Sequence, residues 1–161
     1  MNLLKQVKLN KAATVKNVKS FFTNDFEHYL NLSGKHRTDL ASPTFDASGV
    51  TNHSGVNHQE QNMSINIDAG NCVQAVNDTI ANCTNTRDMP YATIIYYYYI
   101  KRLDDYKIYE RLGYQKAQYY RLKSSALLEF AERLDYWRQQ DQADLPDLRV
   151  YEKNKPVMHK V

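Results

Sequence analysis

From Arg111 to Lys123 the chain carries four basic side chains, Arg111, Lys116, Arg121 and Lys123, and no acid. The nearest carboxylates stand outside that window, at Asp104 and Asp105 before it and Glu129, Glu132 and Asp135 after it, with Glu110 at its edge. Cations gathered on one short stretch neutralise phosphodiesters. Arg and Lys also fit the guanine edge of a base pair, and Gln fits adenine. The same stretch supplies Gln115, Gln118 and Tyr120, and Ser124 follows it directly. Lys116, Tyr120 and Arg121 are expected nearest to bases. Arg111, Gln118 and Lys123 are expected nearer to phosphates, and Gln115 and Ser124 complete the face.

Such a face has to be mounted rigidly. Residues 105–137, DYKIYERLGYQKAQYYRLKSSALLEFAERLDYW, divide at Gly113 into two helical patterns. Before it, Ile108 and Leu112 share a face; after it, Tyr119, Leu122, Ala126, Phe130, Leu134 and Trp137 recur at steps of three and four. Glycine tolerates the positive φ that ends a helix, and Tyr114 then places a ring in the angle between the two helices. A short turn closing over Ile108, Leu112, Tyr114, Tyr119 and Leu122 is how a helix-turn-helix is built. The start of its second helix is the end presented to the major groove, where free N–H groups also receive phosphate. Glu129 and Glu132 flank Phe130 and read as solvated charges, not as paired catalytic carboxylates.

The elements around this unit are read as follows. Residues 91–103, YATIIYYYYIKRL, have strand propensity, but Pro90 at their head and the spacing of Ile95, Tyr98 or Tyr99 and Arg102 predict a helix. A weaker helix runs over 70–84 through Cys72, Val73, Val76 and Ile80. Residues 64–68 either extend or begin that unit. Residues 14–32 form an amphipathic helix with Val15, Val18, Phe22, Phe26 and Tyr29 on one face, Thr14 as N-cap and Ser33-Gly34 as its end. That stripe has to pack on the C-terminal body or on a second copy, and self-association is favoured. The fold class is therefore all-α. Residues 1–34 form an N-terminal amphipathic helix with a possible oligomerising role, and 35–63 a flexible polar linker. Residues 64–140 form a helical bundle containing the helix-turn-helix with its long recognition helix, and 141–161 a basic tail that either is disordered or reaches phosphates.

The run at 103–134, LDDYKIYERLGYQKAQYYRLKSSALLEFAERL, resembles the ArpU family of phage transcriptional regulators (the autolysin-regulatory type). The LGY…YYRLK…ALLEFAE string at 112–132 is the most telling part, and the module also resembles the promoter-reading C-terminal domain of sigma factors. The resemblance spans about 88–137, with YYYYIKRL matching the buttressing helix. It implies control of late phage genes, packaging and lysis genes among them, through promoter DNA, with Gln115, Lys116, Tyr120, Arg121 and Lys123 as contact positions. Tyr109 departs from the general pattern, which places a small residue after Ile108 where the two helices pass closest.

Composition limits the alternatives. The 161 residues carry 42% hydrophobic side chains, 5 glycines, 4 prolines and a net charge of +3, so any affinity for nucleic acid must come from the distribution of charge. No stretch approaches the ~20 apolar residues of a membrane span. The opening MNLLKQVKLNKAATVK has no signal-peptide pattern, so no membrane and a cytoplasmic location are expected, in a bacterial host as the ArpU resemblance implies. Cys72 and Cys83 form no CxxC pair and read as reduced, half-buried thiols; His53 and His58 lie in the polar linker, and no metal or cofactor is expected. No Ser/His/Asp set, phosphate loop or HExxH can be assembled, so an enzyme is not expected. The expected partners are double-stranded DNA, a second copy of the chain in a dimer, since one short helix spans too few base pairs, and, as a candidate, host RNA polymerase. A small-terminase-like DNA recognition protein and a non-enzymatic helical interaction protein are the competing readings.

Overall fold

The computed structural model describes residues 8–44 and 65–152, and within them the fold is all-α. Asn10 caps the first helix by accepting the Ala13 N–H at 3.0 Å. The cap therefore lies four residues before the Thr14 expected from sequence, and Thr14 is buried inside the helix. Helix α1 (Lys11–Ser20) passes through a π turn (Phe21–Asp25) into α2 (Phe26–Ser33). In the π turn the Phe26 N–H donates to the Phe21 carbonyl, five residues back. Phe21, Phe22 and Phe26, at both ends of this turn, are all in the core, each 3% exposed or less.

Helix α3 (Ile65–Asn82) follows, then α4 (Tyr91–Ile95), prolonged by a second π turn (Tyr96–Ile100). Hydrophobic side chains line both sides of this segment: Ala92, Ile94, Ile95, Tyr96, Tyr99 and Ile100 are all buried. Burial on several faces overrides the strand propensity of Ile and Tyr here. Helix α5 (Asp105–Leu112) and the long α6 (Lys116–Gln140) complete the order. Two apolar clusters result. The larger unites α1, α2, α3, α4, the second half of α6 and the segment after it; the smaller centres on Ile94, Ile108 and Tyr119.

Several expectations need correction. The stripe of the N-terminal helices is buried within this chain, not between copies: Val18, Phe22, Phe26 and Leu30 share the main cluster with Val73, Val76 and Phe130. The polar linker does not begin at residue 35, because Leu40 is 5% exposed in the same core and Arg37 donates to Glu27 and to the Tyr99 carbonyl. The rest of that linker, with His53 and His58, lies outside the described residues, as do residues 153–161. The described part of the basic tail, 141–152, is not an arm. Leu145 and Leu148 are buried, and the chain runs back beside α1, where the Asn10 N–H donates to the Val150 carbonyl and the Glu152 N–H to the Lys8 carbonyl, each at 2.7 Å. Arg149 is held by Asp147 at 2.8 Å and Asp135 at 3.2 Å, which removes it from any phosphate. Glu129 is no solvated charge either. It receives the Thr84 N–H at 2.7 Å and the Thr84 hydroxyl at 2.6 Å, pinning the α3–α4 connection to α6.

Candidate nucleic-acid interface

Helix α5 ends on Gly113, whose φ of +77° is a left-handed conformation costly for any residue with a Cβ. The Gly113 N–H returns to the Glu110 carbonyl and the Tyr114 N–H to the Tyr109 carbonyl, the double closure of a Schellman turn. Three residues separate α5 from α6. Tyr114 packs against the smaller cluster while its hydroxyl donates to the Arg87 carbonyl, tying the turn to the loop before α4. Tyr109 is half-buried with its ring 5.6 Å from Tyr119, so a large side chain fills the contact where a small one is usual. Ile108, Leu112, Tyr114, Tyr119 and Leu122 all meet here, as the sequence predicts. The residue missed is Ile94, fully buried at the centre and contributed by α4. Ile94 and its neighbour Ile95 are both 0% exposed, one in each cluster, so a single helical stripe through Ile95 does not reveal it.

Helix α6 begins without a side-chain cap at Gln115 and without an acid in its first turn. Its leading N–H groups are therefore unmet by the helix's own side chains. Gln115, Lys116, Gln118, Arg121 and Ser124 are exposed, and Tyr120 is 42% exposed. Lys116 and Arg121 have no ion-pair partner among the described residues. Arg111, also exposed, lies with its guanidinium 5.7 Å from the centre of the Tyr97 ring, which leaves its N–H groups open. The charge of Asp105, foremost, raises the Tyr120 hydroxyl above its ordinary pKa, so this phenol stays a neutral donor.

Lys123 is a correction. It is 7% exposed, its ammonium bonds Asp105 at 2.9 Å, and it stands 3.3 Å over the Tyr98 ring. It cannot reach a phosphate from there. Burial pulls the ammonium below its usual pKa, and the bond to Asp105 opposes that. Asp105 also accepts the Tyr119 hydroxyl at 2.7 Å, and burial followed by this bond raises that phenol strongly. Lys123, Asp105, Tyr119 and Tyr98 thus form an internal strut that fixes the start of α5 to α6. Seven of the eight candidate contacts remain on the outer surface.

A groove of about 790 Å³ runs between this face and α1, lined by Lys11, Val15, Tyr120, Arg121, Ser124 and Leu128 among others. Among the described residues no cluster of three metal-ligating side chains occurs, and no helix is long and apolar enough to cross a membrane. Cys72 and Cys83 are free and buried, and burial raises the Cys72 thiol to about 11. Comparison with protein-family models, with curated proteins and with solved structures finds no match to this chain.

Proposed function

We propose that the protein is a sequence-specific double-stranded DNA-binding regulator of transcription, with α5, the Gly113 turn and α6 acting as a helix-turn-helix. The observation that carries this reading is the exposed, acid-free leading face of α6. Lys116, Gln118, Tyr120, Arg121 and Ser124 stand outward, Lys116 and Arg121 without an ion-pair partner among the described residues, above a buried wedge of Ile94, Ile108 and Tyr119. Base-edge readout requires such side chains at the front of a rigid helix, and phosphate binding requires the uncapped N–H groups behind them. The resemblance of residues 103–134 to the ArpU regulators adds the class of target, promoters of phage late packaging and lysis genes. In this reading the protein acts without catalysis, as a dimer in the cytoplasm of a bacterial host, with RNA polymerase as a candidate partner. The N-terminal stripe is consumed within the chain, so such a dimer would use another surface.

Selection of bound duplexes from a random pool tests the proposal. An enriched site of two-fold symmetry is expected. Substituting Lys116→Ala and Arg121→Ala together should lower affinity for it at least tenfold, by the ~1–3 kcal/mol that a base contact contributes. Failure to enrich any sequence, or a double variant that binds as the parent does, would count against it.

A further inference from the structure

Two acid-free cationic segments, nearly a hundred residues apart in sequence, lie side by side in the fold. One is the leading part of α6. The other is α1 with its flanks: from Lys8 to Asn24 the chain holds Lys8, Lys11, Lys16 and Lys19 and no carboxylate. Lys11, Lys16 and Lys19 are exposed and have no ion-pair partner among the described residues. Lys11 and Arg121 line the same groove, whose floor includes Val15 and Leu128 and whose wall offers the Ser124 and Ser125 hydroxyls. Among the described residues no acidic side chain lines it. Lys19 lies two turns further along α1, near enough to Lys123 for its charge to disfavour that ammonium. Lysines with no internal carboxylate to satisfy them, on the rim of an open groove, have an unmet demand for anions.

We infer that α1 is a second nucleic-acid-contacting element, in which Lys11 and Lys19 hold the sugar–phosphate backbone of the duplex whose bases α6 reads. The inference rests on the DNA-binding reading and extends it to a helix for which the sequence suggests a possible oligomerising role. The chemistry of the groove favours this occupant. Its cationic rim suits phosphates, its hydroxyls are donors to phosphate oxygens, and its apolar floor suits the faces of deoxyribose. The contact would also orient the molecule on the duplex, since α1 meets the backbone on one flank of α6 only.

Charge reversal separates this from nonspecific attraction. Lys11→Glu and Lys35→Glu change net charge equally, but Lys35 follows α2 at the opposite end of the α1–α2 rod. In the full chain, titrated by anisotropy against a labelled 30-bp duplex, Lys11→Glu should weaken binding at least fivefold and Lys35→Glu less than twofold. Lys11→Ala should make the log–log salt slope shallower by about one. Equal losses for the two reversals would overturn the inference, as would an unchanged slope. So would retained duplex affinity with loss of an acidic polypeptide in its place. If the wild-type chain binds and the Lys116/Arg121 double variant does not, while the two reversals match, α1 alone is excluded. If the wild-type chain does not bind duplex at all, the parent reading falls with it.

Discussion

Lys123 follows Tyr119 by four residues and precedes Phe130 by seven, so its helical position is that of the buried stripe. Its charge suggests the surface; its register puts it inside, and the register wins because Asp105 and Tyr98 supply the partners a buried ammonium needs. Two consequences can be measured. Lys123→Met keeps the stem that packs on Tyr98 and removes the charge, so duplex affinity and salt slope should match the parent; a slope shallower by about one would mean that the side chain reaches phosphate after all. Asp105→Ala instead strands the ammonium, whose side chain is 9% exposed. We expect a loss of about 1–3 kcal/mol in urea denaturation, held below the cost of a fully buried pair because Asp105 itself is 23% exposed. Adding Lys123→Met to Asp105→Ala should recover the part of that loss due to the stranded ammonium, while the part due to the Tyr119 hydroxyl remains, and a strictly additive double variant would exclude the strut.

At the scale of elements, α6 carries two tasks along one rod: its first turns present the polar face, and its second half, through Ala126, Phe130 and Leu134, is the spine of the main core. The turn before it has to be fixed for the first task. At Gly113 a Cβ would meet nothing within 4 Å, so Gly113→Ala has only the left-handed backbone to oppose it. That cost is about 1–2 kcal/mol, expected as a melting temperature lower by roughly 2–8 °C; a variant melting with the parent would mean the turn relaxes to negative φ. This turn, the wedge around it and the long helix were legible in sequence because glycine, ring and aliphatic residues recur there at regular helical spacing. The N-terminal helices were legible only in part. Val18, Phe22 and Phe26 lie on the inner face as their spacing predicts; Phe21 and Leu30 join them at ordinary helical steps, three from Val18 and four from Phe26, in a buried face wider than the stripe through Tyr29. Leu145 and Leu148 are illegible for a different reason: two isolated leucines among Asp, Pro and Arg give no periodicity, and only their burial in the main cluster reveals their role.

Over the whole molecule, α6 runs from the candidate interface to a buried acid pair at its far end. Asp141 closes α6 and is 4% exposed. It faces Asp78 of α3, and one oxygen of each carboxyl, Oδ2, has no other partner. Burial, then the hydrogen bond and charge of Asp78, raise Asp141 to about 8, and the negative end of the α6 dipole acts in the same direction. Asp141 therefore keeps its proton beside Asp78 well above the ordinary carboxylate range. The sign of the pH dependence follows. In the unfolded chain Asp141 ionises near the ordinary carboxylate pKa of ~4, whereas in the fold it keeps its proton up to about 8. Between those values the native state binds more protons than the unfolded state, so this group's stabilisation declines as pH rises across the window. Asp141→Asn supplies a permanent N–H donor to Asp78 and removes the titration. Its melting temperature should fall below or match that of the parent near pH 4 and exceed it increasingly toward pH 8, with the difference levelling off above. A difference that stays constant from pH 4 to 9 would place the proton elsewhere and leave the α3–α6 closure insensitive to pH.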